Sequence, residues 1–147
     1  MMRDTALPVP TELPPIVQRL RDAINEHDLE QLVGCFSEDY RNETPAHPSR
    51  SFVGAEQVRR NWTQILGDLP DLRAELVRFA VSGDEVWAEW DWKGTRPDGA
   101  PFAMRGVTIL APGADGRATW SRFYMEPVDQ AGDDVTAAVR DAVGTRP

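Results

Sequence analysis

The sequence predicts an α+β domain in which helices pack on one concave face of a bent, antiparallel sheet. Two observations carry this expectation. Helical periodicity is strong only before residue 70, and the chain from Asp71 to Asp129 reads as strands separated by turn signals. A single early strand, EDYRNETP at 38–45, is set among the helices, away from the others. With 147 residues the chain has the size of one domain and can bury a real core.

The elements follow in order. Residues 1–14, with prolines at 8, 10 and 14, read as an extended arm ahead of a domain over 15–129, and 130–147 as a tail. PPIVQRLRDAINEHD places Ile16, Val17, Leu20, Ala23 and Ile24 on one helical stripe, with proline in the first turn, where a missing N–H costs nothing. DLEQLVGCF starts a short second helix, with Asp28 as cap and Gln31 three residues on. After the strand and the loop AHPSRSFVG, GAEQVRRNWTQILGDLP puts Ala55, Val58, Trp62, Ile65, Leu66 and Leu69 on one face of a third helix. In DLRAELVRFAVSGD, Leu72, Ala74 and Leu76 hold one phase and Val77, Phe79 and Val81 the other, a slip that predicts a β-bulge and a strongly curved sheet. Three more strands follow, in EVWAEWDWKGTRPDG, APFAMRGVTILAPGADG and RATWSRFYMEPVD. The tail carries a weak helical stripe, Val135, Ala138, Val139 and Ala142.

Charge excludes some partners. Lys plus Arg total 16 against 24 Asp plus Glu, a net charge of -8, which repels nucleic acid and anionic membrane surfaces. No apolar run approaches the about 20 residues that cross a bilayer, and MMRDTALPVPTELPP lacks a signal-peptide core, so the cytoplasm is the expected compartment. Cys35 stands alone, and His27 and His47 are the only histidines, so neither an internal disulfide nor a metal cluster of usual spacing is expected. Both histidines read as solvated, His27 in a turn and His47 in a loop that forms a rim.

Strand alternation sorts the polar residues into faces. Tyr40, Asn42 and Thr44 share one face of the early strand, without an aliphatic side chain among them, and Arg41 and Glu43 share the other. In VWAEWDWK, alternation alone makes Val86, Ala88, Trp90 and Trp92 the core face and Trp87, Glu89, Asp91 and Lys93 the solvated one. In TWSRFYME, Trp120, Arg122, Tyr124 and Glu126 oppose Ser121, Phe123 and Met125.

From about Pro15 to Asp129 the chain resembles the SnoaL-like branch of the nuclear transport factor two superfamily, which includes polyketide cyclases, ketosteroid isomerase and limonene epoxide hydrolase. The resemblance rests on FSEDYRNETP, FVGAEQVRRNW, VWAEWDWKGT, RGVTILAPGADGRATW and SRFYMEP. It implies a cone-shaped barrel, a curved sheet wrapped around three helices, whose open end holds a pocket, usually in a homodimer. The Tyr-x-Asn of the epoxide hydrolases, which helps hold the attacking water, is similar to Tyr40 and Asn42. Their inward Arg-x-Asp falls on Glu89 and Asp91, which implies that the second face of that strand points into the pocket. The acid near the end of the last strand falls nearest Glu126. Where ketosteroid isomerase has its aspartate base before a proline, this chain has Thr44 before Pro45, which disfavours that isomerase chemistry.

Two functions follow from the resemblance. The first is a cofactor-independent cyclase, isomerase or epoxide-hydrolase-type enzyme acting on a small, largely apolar metabolite by general acid–base catalysis. In it Asp91 or Glu126 moves the proton, Arg122 or Arg105 supplies the cation that orients the acid, and Tyr40 and Asn42 hold a water or substrate oxygen. Trp62, Trp87 and Phe102 are its walls, and Glu89 and Tyr124 contact substrate. The second is a non-catalytic ligand-binding or accessory homodimer with the same pocket. With Asp91 inward, Trp90 and Trp92 fall on the outer sheet face and form the dimer surface.

Overall fold

The computed structural model describes residues 12–144; residues 1–11, most of the proline-rich arm, and 145–147 lie outside the described residues. The first helix, α1 (Pro15–Glu26), buries all five residues of its stripe. It ends at His27 in the left-handed region, φ 55°, where the His27 N–H meets the carbonyls of Ala23 and Ile24. His27 is not merely solvated, because its Nε2 donates to the Leu72 carbonyl at 2.9 Å. The second helix, α2 (Leu29–Val33), is capped by Asp28, whose Oδ1 accepts from the Gln31 N–H at 3.1 Å.

Strand β1 (Phe36–Glu43) is followed by a 3-10 turn at Pro48–Arg50 and by β2 (Phe52–Val53), which folds back antiparallel with Arg41 opposite Val53. Helix α3 (Ala55–Asp68) then leads into a four-strand meander: β3 (Arg73–Ser82), β4 (Glu85–Thr95), β5 (Pro101–Pro112) and β6 (Ala118–Pro127). The six strands form one sheet in the order β2-β1-β6-β5-β4-β3.

The sheet is mixed, a correction to the antiparallel expectation. The chain leaves β1 through α3 and the whole meander before β6 returns beside it, and such a crossover brings the two strands together parallel, with Asn42 opposite Ser121. The predicted bulge is present as a register shift between Leu76 and Arg78. Gly106 marks a second irregularity, with φ 151° and a position where an added Cβ would stand 2.2 Å from the Tyr124 carbonyl oxygen. Only a glycine lets β5 approach β6 this closely.

The helices cover the concave face. Asn25 ties α1 to the edge strand β3 by giving its amide to the Ala74 carbonyl at 3.0 Å and taking the Ala74 N–H at 2.7 Å. The stripe on α3 is only partly covered: Val58 and Leu69 are buried, whereas Trp62, Ile65 and Leu66 are half-buried. Trp62 and Ile65 face a space that the core does not fill. In the tail, α4 (Val135–Val143) is capped by Asp134 and leaves Val135, Val139 and Val143 exposed. No helix among the described residues is long and apolar enough to cross a membrane.

Candidate functional site

The unfilled space is a cavity of about 350 Å³ between α3, β1 and the concave faces of β4, β5 and β6. Its walls are aromatic. Trp62 from α3 meets Trp92 from β4 edge-on at 5.5 Å, and Trp92 in turn contacts Trp90 at 6.3 Å and Phe123 at 6.4 Å. The size and lining suit a small, largely apolar molecule.

Set in this wall is a chain of neutral polar groups. Tyr40 and Asn42 project inward from β1, Thr44 from the residue after it and Ser121 from the parallel neighbour β6; all four are buried. The Tyr40 hydroxyl is hydrogen-bonded to the Ser121 hydroxyl, Ser121 Oγ donates to Asn42 Oδ1 at 3.1 Å, and Asn42 Nδ2 donates to Thr44 Oγ1 at 3.0 Å. A further link from the Tyr40 hydroxyl to Asn42 Oδ1 is long, 3.4 Å. Two hydroxyl protons serve these three Tyr40, Ser121 and Asn42 links, so the donation that fills the two short ones runs Tyr40 to Ser121 to Asn42. The Thr44 oxygen accepts from Asn42, and its own proton has no acceptor among the described residues. The relay therefore ends in an unused donor at the cavity wall.

Burial pushes the Tyr40 phenol up to about 12, against the opposing pull of its bond to Ser121. Tyr40 is thus a neutral donor at ordinary pH. On β5, Thr108 accepts from the Trp90 indole N–H at 2.9 Å, which satisfies a buried tryptophan within the wall. Arg50, on the 3-10 turn, is the one charged side chain on the lining among the described residues.

The acids lie on the other side of the sheet. Val86, Ala88, Trp90 and Trp92 are buried, so β4 follows plain alternation, and the inward placement of Glu89 and Asp91 implied by the resemblance is corrected. Asp91 stands on the outer face between Lys93 at 3.6 Å and Arg105 at 3.5 Å. Its Oδ1 is covered and accepts no hydrogen bond, so Arg105 holds it at ion-pair distance only. Glu89 pairs with Arg78 at 2.7 Å, and Trp87 is exposed. On β6 the inward phase is Ser121, Phe123 and Met125, which puts Arg122, Tyr124 and Glu126 outside. Arg122 donates to Glu43 at 2.9 Å and holds that carboxyl below its usual range. Glu126 is met by the ring of His47 at 3.1 and 3.2 Å. Trp90 and Trp92, expected on a dimer surface, are cavity wall.

Of the ten residues singled out from sequence, the structure thus gathers Tyr40, Asn42, Trp62 and Phe102 around one cavity and leaves Trp87, Glu89, Asp91, Arg122, Tyr124 and Glu126 outside it. Thr44, on the strand face that the sequence already marks, joins the first group, and the structure adds Arg50, Thr108 and Ser121. Ser121 had a signal, a small polar residue in the apolar phase of its strand; Arg50, in an irregular turn, had none. Among the described residues no three His, Cys, Asp or Glu side chains are placed to hold a metal ion.

The chain belongs to the SnoaL-like domain family, which matches residues 17–121. Solved structures agree in fold. One, from Catenulispora acidiphila, has a ketosteroid isomerase-like fold and was crystallised with trimethylamine; it is 20% identical, covers 77% of this chain and 87% of its own, with TM-score 0.66. A candidate polyketide cyclase of Sinorhizobium meliloti is 23% identical over 78% of this chain and 95% of its own, TM-score 0.60. A Mycobacterium tuberculosis protein in complex with estradiol-17beta-hemisuccinate is 18% identical over 74% of this chain and 89% of its own, TM-score 0.64. Among curated proteins none matches at a significant level.

Proposed function

We propose that the protein binds a small, largely apolar molecule in the conical cavity and orients it through one oxygen acceptor placed on Thr44. The observation that carries this reading is the buried relay from Tyr40 through Ser121 and Asn42 to Thr44, which ends in a donor without a partner inside an aromatic wall. A carbonyl or ether oxygen satisfies that donor, and flat apolar surface satisfies Trp62, Trp92 and Phe123. That related folds are crystallised with trimethylamine and with a steroid hemisuccinate is consistent with a ligand here.

Binding is favoured over general acid–base catalysis because, among the described residues, the lining holds no carboxyl and no imidazole, and Tyr40 is held protonated by its burial. For Asp91 or Glu126 to take part, either acid would have to cross the sheet. A homodimer through the outer face remains part of the proposal, resting now on exposed Trp87 and Tyr124; a monomer mass in sedimentation at micromolar concentration contradicts it.

The cavity reports on itself, since Trp62, Trp90 and Trp92 line it. Methyl 2-naphthoate, a flat neutral ester, is expected to quench tryptophan fluorescence saturably, and Thr44→Val to weaken its binding by about three- to tenfold. Saturable quenching that Thr44→Val leaves unchanged removes the orienting role from the relay, and absence of quenching by both this ester and its parent acid, 2-naphthoate, up to the solubility limit removes the binding reading.

A further inference from the structure

Resting on that reading, we infer that the ligand is an acid, an apolar molecule whose carboxylate is taken by Arg50 at the rim of the cavity. The lining is otherwise uncharged, so Arg50 alone gives it a sign. Most surface arginines near the sheet are already neutralised: Arg59 by Glu30, Arg78 by Glu89, Arg105 by Asp91, Arg117 by Asp115 and Arg122 by Glu43. Arg50 has no carboxylate partner within ion-pair distance among the described residues. In a chain of net charge -8, an unpaired guanidinium on the wall of an apolar cavity is a local reversal of the field that a ligand anion would meet on entry.

The turn that presents it is held in place. The Arg50 N–H bonds the His47 carbonyl at 2.9 Å, the Ser51 N–H bonds the Pro48 carbonyl at 3.0 Å, and the Thr44 N–H bonds Ser51 Oγ at 3.0 Å. The His47 ring clamps the turn to Glu126 at the end of β6, 3.1 Å away. The bond from the Thr44 N–H to Ser51 Oγ ties the residue next to Arg50 to the backbone of Thr44, and Thr44 and Arg50 both line the cavity. The cavity wall thus offers a ligand both a guanidinium and a hydroxyl donor. A planar carboxylate matches this set, since guanidinium binds it through two parallel N–H donors.

The test compares 2-naphthoate with its methyl ester at pH 7, by quenching of tryptophan fluorescence in the native chain and in Arg50→Gln. The inference expects the acid to bind more tightly than the ester in the native protein. Arg50→Gln should weaken the acid about tenfold, and change the ester by less than about twofold. Raising the salt concentration should weaken the acid more than the ester, because the guanidinium is exposed. If the ester binds but Arg50→Gln weakens acid and ester alike, or neither, the carboxylate assignment is overturned while the cavity remains a binding site. If the native protein binds neither compound, both the assignment and the binding reading are overturned.

Discussion

On β4, Trp90 and Trp92 are buried against the helices, whereas Trp87, Glu89 and Lys93 on the same strand face outward. The two faces solve the problem of polar groups differently. Outside, charges are matched across strands, as with Glu89 and Arg78, Asp91 and Arg105, or Glu43 and Arg122. Inside, the polar groups are uncharged apart from Arg50 at the rim, and most satisfy one another, as with Tyr40, Ser121 and Asn42 or Trp90 and Thr108, while the Thr44 hydroxyl proton and the Trp92 indole N–H have no partner among the described residues. Desolvating a carboxylate costs far more than desolvating a hydroxyl or amide that is hydrogen-bonded, so the sheet sorts its residues by that cost. An acid flanked by tryptophans in a strand is therefore no sign of an inward acid when each tryptophan lies on the opposite phase.

The largest expected difference between the faces is in stability. Trp90→Ala removes a fully buried indole and should cost about 3–5 kcal/mol, whereas Trp87→Ala, from the exposed face, should cost less than about 1 kcal/mol. Urea denaturation midpoints measure both, and equal losses would mean that the faces are not distinguished as described. Next in size is the pH response of the relay. The Tyr40 phenol ionises near 12 in the folded chain and near 10 when unfolded, so its contribution is fully present below about pH 10. The unfolded state then loses its proton first, and stability should fall by up to about 3 kcal/mol between pH 10 and 12. Tyr40→Phe should flatten that part of the curve; an unchanged slope would place the loss elsewhere. The smallest effect is expected outside the cavity. Glu126→Gln removes an exposed pair with His47 and should cost less than about 1 kcal/mol, and it should leave methyl 2-naphthoate affinity within about twofold.

The fold was legible because its signals are local and repeated. The α1 stripe, the Asp28 cap and the phase slip in β3 each stand in a few adjacent residues, and each is found where periodicity places it. The parallel contact between β1 and β6 was not legible, since it joins residues about eighty positions apart and depends on the sense in which a meander returns. The cavity was legible in half. Tyr40, Asn42 and Thr44 were marked by a strand face with no aliphatics, but their partner Ser121 becomes meaningful only through that parallel pairing. The acids went astray for a different reason. Alternation alone places Asp91 outside and the family resemblance places it inside, so the sequence leaves its face open, with Glu89 standing where the resemblance requires an arginine. That missing cation was the sign that this chain does not bury the acid.

A crystal structure of the protein with methyl 2-naphthoate tests the central claim most directly. The account predicts the naphthalene ring between Trp62, Trp92 and Phe123, with the ester carbonyl oxygen within hydrogen-bond distance of Thr44 Oγ1. A ligand bound on the outer face beside Asp91 and Arg105, or in the cavity with its carbonyl turned away from Thr44, would contradict it.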